Sequence, residues 1–253
     1  MDNELERHAE LGRAIEKYCR KYSIPVENLL EILNDQKVVP MLRGKGMEYN
    51  VYKLLQQVLG PKEWAVTKLN LSAQPGAPDQ DISITHRRTG LTLIVESKSA
   101  VRGSMRSGLT SRKHKVPHFQ VKCHRSRSNI KLVGYGNDRY RASDFDVLIT
   151  NPLNALFAGG TIGEDLELLA DPQLIEMLSK HYNVSEEENL QEAAGMDWRF
   201  VLPVEIAEND LIPRTPTVFL EDDPHWLPIV ELPKKVEEVV RQRVSKRRSE
   251  RSS

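Results

Sequence analysis

Asp79-Gln80-Asp81-Ile82-Ser83-Ile84-Thr85-His86, then Arg87-Arg88-Thr89-Gly90, then Leu91-Thr92-Leu93-Ile94-Val95-Glu96-Ser97-Lys98 is the stretch that decides the fold. Asp81 to His86 and Leu91 to Lys98 alternate apolar and polar side chains around a glycine-ended turn, which predicts a β-hairpin. A two- or four-residue loop centred between Arg88 and Thr89 sets His86 opposite Leu91 and, counting outward, Asp81 opposite Glu96. Side chains alternate faces along a strand, so Asp81, Ser83, Thr85, Thr92, Glu96 and Lys98 share one face, with Ile94 the one misfit. Ile82, Ile84, Leu91, Leu93 and Val95 share the other. One face is expected to turn to the core and the other to a polar cleft.

Two carboxylates opposed across a hairpin repel unless a cation lies between them, and a hard, oxygen-only ligand set suits Mg2+, with Mn2+ as its substitute. An ion held by so few carboxylates keeps positions for water and phosphate oxygens, the arrangement that metal-assisted phosphodiester hydrolysis requires. Lys98 shares that face. It is placed to orient or deprotonate the attacking water and to offset charge on the scissile phosphate, and burial beside a metal would lower its proton affinity.

Working outward, Met47, Val51, Leu54, Leu55, Val58 and Leu59 recur at helical spacing between Gly46 and Gly60-Pro61. Trp64 to Leu71 reads as a strand and Ser72 to Pro78 as a loop. A helical stretch is expected near His118 to Ser128, and a buried strand over Phe145 to Thr150. Helix, strands, helix, strand is the order of an α/β fold with a mixed central β-sheet flanked by helices. Glu4 to Lys21 and Val26 to Leu33 have helical patterns, so residues 1–40 read as a helical N-terminal arm. The chemistry falls in 41–158. Proline-rich and acidic stretches over 159–245 suggest a C-terminal subdomain for dimerisation or specificity, with Trp198, Trp226 and Val236 to Val244 available for packing. Residues 246–253 read as a disordered basic tail.

A chain of 253 residues can bury a substantial core without disulfides or structural metal. Its two cysteines, Cys19 and Cys123, lack the partners of a zinc site, which points to a reducing, cytoplasmic setting. No stretch approaches the roughly 18 to 20 apolar residues that span a bilayer, so no membrane partner is expected. Arg43-Gly44-Lys45-Gly46 lacks the Walker spacing, so no ATP site is expected either.

Lys and Arg total 36, as do Asp and Glu, but the balance conceals a strong asymmetry. Lys98, Arg102, Arg106, Arg112, Lys113, Lys115, Lys122, Arg125, Arg127, Lys131, Arg139 and Arg141 face one acid, Asp138, in the same span. Cations so concentrated repel one another without an anionic partner, which points to phosphate. Arg102, Arg106, Arg112, Lys113 and Lys115 lie in or beside a loop over Gly103 to Ser111, while Gln120, Lys122 and Arg125 fall on the expected helix. Base-reading and backbone-positioning contacts are both open to them. His114, His118 and His124 are spaced for surface or phosphate-facing roles rather than for zinc, and Cys123 reads as a packed thiol.

Pro78-Asp79-Gln80-Asp81 followed by Glu96-Ser97-Lys98 on the next strand resembles the PD-(D/E)XK nuclease superfamily, over about residues 44 to 150. The resemblance implies a restriction-endonuclease-like core. It implies that Asp81 or Asp79 and Glu96 bind Mg2+, that the Ser97 carbonyl adds a ligand, and that Lys98 is the catalytic lysine. The Pro-Asp pair points to Asp79 and the strand pattern to Asp81. Glu48, on the preceding helix, is the candidate for a further acidic residue, although a first-turn glutamate is also favoured by the helix dipole alone. The implied activity is Mg2+-dependent endonucleolytic cleavage of double-stranded DNA, of the type II restriction kind, by a homodimer. A repair or junction-resolving nuclease of the same superfamily and a non-cleaving DNA-binding module are the alternatives. Glu-x-Lys by itself also recurs as an ordinary solvated pair on a strand. RNA is disfavoured by aromatics at 6% of residues, too few for a stacking platform.

Overall fold

The computed structural model describes residues 2–69, 80–108, 116–124, 138–158, 168–169, 171–185 and 187–252. Two compact units divide the chain, residues 1–45 with 160–165, and residues 46–159 with 166–253. In the first, α1 (Asp2–Lys21) leads through a 3-10 turn (Val26–Asn28) into α2 (Leu29–Leu33). Helix α3 (Val38–Val58) starts earlier than the spacing after Gly46 suggests, so the expected boundary at residue 40 falls inside it. Pro40 sits in its first turn, where a missing N–H costs no helical hydrogen bond. The exposed Gly44 and Gly46 continue the helix instead of starting it.

The second unit is built on a six-stranded mixed sheet, ordered β1-β2-β3-β5-β6-β8. Its strands are β1 (Trp64–Lys68), β2 (Ile82–His86), β3 (Thr92–Ser97), β5 (Val147–Thr150), β6 (Arg199–Val201) and β8 (Leu227–Pro228). Only β3 and β5 run parallel. The hairpin has the expected register: Ile82 pairs with Val95 and Thr85 with Thr92, and the His86 N–H donates to the Leu91 carbonyl at 2.9 Å. The turn is the four-residue option. Gly90 closes it at φ +67°, a conformation that side-chain-bearing residues resist, and donates to the His86 carbonyl.

Both faces of the sheet are covered. On one, Ile82, Ile84, Leu93, Val95, Val147, Ile149 and Phe200 pack with Met47, Val51 and Leu55 of α3 and with Leu232, Val236 and Val240 of α7 (Leu232–Ser252). The other carries a second core, Leu148 and Val201 with Met105, Phe119, Val121, Leu156 and Trp226, and Ile94 packs against it. The residue that misfits the polar face therefore belongs to this second core, and Asp81, Ser83 and Glu96 of that face are buried. Helices α4 (Pro172–Tyr182) and α5 (Glu187–Met196) contribute Leu174, Leu178 and Leu190 to the same cluster, and α6 (Pro203–Ile206) adds Ile206 at its edge.

Three expectations are corrected. The stretch from His118 is not a helix. Residues His118–Gln120 form β4, which pairs antiparallel with β7 (Thr217–Phe219), and Ala100 bridges Val121. Phe119, Val121 and Cys123 are buried while Gln120 and Lys122 are exposed, a period of two. The region expected to be a separate C-terminal subdomain instead supplies β6, β8 and α7 to the central sheet and its cover. The segment after residue 246 continues α7 to Ser252. No helix among the described residues is long and apolar enough to cross a membrane.

Helix α4 shows how local sequence sets these elements. Asp171 caps it, accepting hydrogen bonds from the Gln173 and Leu174 N–H groups, and Asn183 ends it in the left-handed conformation. Asp171→Ala is expected to lower stability by about 1 kcal/mol in urea denaturation, leaving the m-value unchanged.

Candidate active site

The hairpin, β1 and α3 converge where β2 begins and β3 ends. Continuing the register one pair past Ile82 and Val95 sets Asp81 opposite Glu96. The two carboxylates take different partners, however. Asp81 Oδ2 accepts from the Ser97 N–H at 3.1 Å and from Ser97 Oγ at 2.9 Å. Glu96 Oε1 lies 2.5 Å from Lys98 Nζ. Asp81 and Glu96 are 8% and 3% exposed, so neither charge is screened by bulk water.

Burial, reinforced by the nearby Glu48 carboxylate, pushes the Asp81 carboxyl above its usual range, despite the Lys98 ammonium and the Ser97 hydrogen bonds. Lys98 is partly buried beside Glu96, Tyr140 and Asp81. Burial pulls its pKa down, but Glu96 first, then Tyr140 and Asp81, more than offset this, and its ammonium is held well above the ordinary value. Paired with Glu96, the Lys98 ammonium is suited to charge compensation and orientation.

Glu48 comes from α3 and pairs with Lys68 of β1 at 2.7 Å, while Lys68 Nζ lies 4.6 Å from the centre of the Tyr49 ring. Nothing in the sequence singles out Lys68, yet it is opposite Ile82 in the β1–β2 register, one position from Asp81. Tyr140 is a second residue of this kind. Lys98 Nζ sits 5.1 Å from its ring centre, and burial pushes the phenol up to about 12. The Cys123 thiol, electrostatically coupled to Lys98 and Glu96, is likewise pushed up by burial to about 12, which makes it unreactive as a nucleophile.

Asp79, Arg112, Lys113, Lys115 and Arg125 lie outside the described residues. Of the other basic candidates, Arg106 is exposed, and its Nη1 donates to the Gly103 and Met105 carbonyls at 2.7 Å each. Arg102 is partly buried, and its Nε has no partner among the described residues. Gln120 and Lys122 point to solvent from β4 and its extension. His118 is buried, with Nδ1 2.8 Å from the Val116 carbonyl.

No group of three or more His, Cys, Asp or Glu side chains among the described residues is close enough to hold a metal ion. A hard ion such as Mg2+ is commonly held by one or two carboxylates with water completing the shell, a smaller requirement. The donors that the sequence names are oxygens, from Asp81, Glu96 and the Ser97 carbonyl, and burial makes charge on Asp81 unfavourable, which a cation would offset. The donor set fits such an ion.

The sign of the Asp81 shift gives a prediction. Its folded-state pKa is raised above 3.8, so the folded protein holds that proton more tightly. The associated stability is present below 3.8 and is lost as pH rises through the folded value. Above that folded value the charge is a cost. Asp81→Asn, which can still accept from Ser97, is expected to raise the Tm of the protein measured in EDTA at pH 7, with the gain vanishing in acid.

Neither a protein-family model, a curated protein nor a solved structure matches this chain.

Proposed function

We propose that the protein is a Mg2+-dependent deoxyribonuclease that cuts double-stranded DNA within the chain, in the manner of a sequence-specific restriction endonuclease. The observation that carries the reading is the convergence of Asp81, Glu96 and Lys98 at one end of the hairpin, with Glu48 beside Asp81. Asp81, Glu96 and the Ser97 carbonyl would hold the ion, with Asp79 the other candidate ligand. Once bound there, Mg2+ or Mn2+ supplies Lewis-acid activation of a phosphoryl oxygen and a water of lowered pKa.

The remaining work falls to the chain. The Lys98 ammonium, fixed by Glu96 and lying against Tyr140, offsets charge that grows on the phosphate oxygens as the bond breaks. Ser97 locks the Asp81 carboxylate in one orientation through its N–H and hydroxyl. Arg102, Arg106 and Lys122, with Arg112, Lys113, Lys115 and Arg125, give the region after Lys98 the positive charge that a phosphate backbone requires, and Gln120 adds a neutral contact.

The test is incubation of purified protein with a complex linear duplex in Mg2+ and in EDTA, resolved on a gel. Discrete Mg2+-dependent fragments are expected. Cleavage only at branched or damaged DNA would move the reading to repair or junction resolution, and salt-sensitive binding without cleavage would reduce it to a DNA-binding module.

A further inference from the structure

Helix α7 outlasts the core that supports its first half. Leu232, Val236 and Val240 form a buried seam at intervals of four, and Val244 packs at its edge. The next position on that seam is Arg248, which is exposed. From 241 to 250 the helix carries Arg241, Arg243, Lys246, Arg247 and Arg248 against the single acid Glu250, and all six are exposed.

Helices in proteins are held mainly by packing of an apolar face, and like charges within one or two turns destabilise them. This end has little apolar packing and a concentration of cations. Arg243 also contacts Asp146, whose Oδ2 accepts from the Ile94 N–H at 2.7 Å, so the helix is tied to the strand that bears Glu96 and leads into Lys98.

We infer that the C-terminal end of α7, through Arg241, Lys246, Arg247 and Arg248, is a second nucleic-acid contact surface that binds duplex phosphates. A membrane surface is the less suitable polyanion, because a helix lying on lipid needs an apolar face to bury, and no apolar residue follows Val244 up to Glu250. The inference rests on the reading that the substrate is DNA and extends it to a surface built apart from the hairpin.

The test uses the full chain and the variant Lys246→Ala/Arg247→Ala/Arg248→Ala, which leaves the core untouched. Binding to a short labelled duplex is measured in EDTA across a salt series, beside binding to phosphatidylserine vesicles and cleavage in Mg2+. The expected result is at least about tenfold weaker duplex binding by the variant at low salt, with the slope of log K against log salt reduced by about 0.9 for each phosphate that the variant no longer neutralises. Unchanged affinity and slope in the variant, with cleavage intact in the parent, would overturn this surface and leave the nuclease reading standing. Duplex binding that depends on these residues, in a protein that never cuts, would support the surface and remove the nuclease reading. Variant-sensitive binding to vesicles without binding to duplex would overturn the surface in favour of lipid.

Discussion

Lys98→Ala is expected to reduce Mg2+-dependent cleavage by a factor of about 10³ and to lower folding stability by about 3 kcal/mol. The two effects have different origins. Cleavage falls because the fixed ammonium that compensates phosphate charge is gone. Stability falls because Glu96, 3% exposed, loses the cation 2.5 Å away and becomes a buried charge with less compensation. The double variant Lys98→Ala/Glu96→Gln separates them: removing the second charge should recover most of the stability and none of the cleavage. Urea melts and single-turnover assays on the same preparations read both, with the folded fraction checked by circular dichroism. Additive losses in the melts would mean that the pair contributes nothing as a pair.

Phe200→Ala is expected to cost about 3–5 kcal/mol, a large fraction of the roughly 5–15 kcal/mol that keeps a domain folded. Phe200 is fully buried in β6, pairs with Ile149 of β5 and Leu227 of β8, and packs in the core under α7. A separate C-terminal subdomain would unfold alone and leave the hairpin intact. A sheet completed by β6 and β8 should instead lose far-ultraviolet signal and cleavage in one transition shifted to lower urea. Two resolved transitions, with the hairpin signal unchanged, would restore the subdomain picture.

The hairpin is legible in the sequence because its determinants are local. Alternation sets the faces, Gly90 closes the turn, and the register follows by counting. The second core is not legible, because Ile94 packs against a cluster that includes Leu148, Val201 and Trp226, which are distant in sequence. Strands β6 and β8, of three and two residues, are too short to show a period. The alternation of Phe119, Val121 and Cys123 with Gln120 and Lys122 is present in the sequence, and the density of charge around it obscures a strand. The chemistry of Lys98 is hidden for a related reason: burial alone lowers a lysine pKa and the sequence pattern assigns Glu96 to metal, whereas in the structure Glu96 also pairs with the Lys98 ammonium. Lys68 and Tyr140 enter only through pairing and packing, Lys68 by the register opposite Ile82 and Tyr140 by its ring against Lys98.

The most direct measurement of the central claim is the rate of duplex cleavage in Mg2+ by the parent protein and by Asp81→Asn and Glu96→Gln, each verified as folded. Cleavage by the parent is predicted, together with its loss in both variants even as Asp81→Asn melts at a higher temperature. Cleavage by Asp81→Asn at the parent rate would contradict the assignment of the reaction to this hairpin.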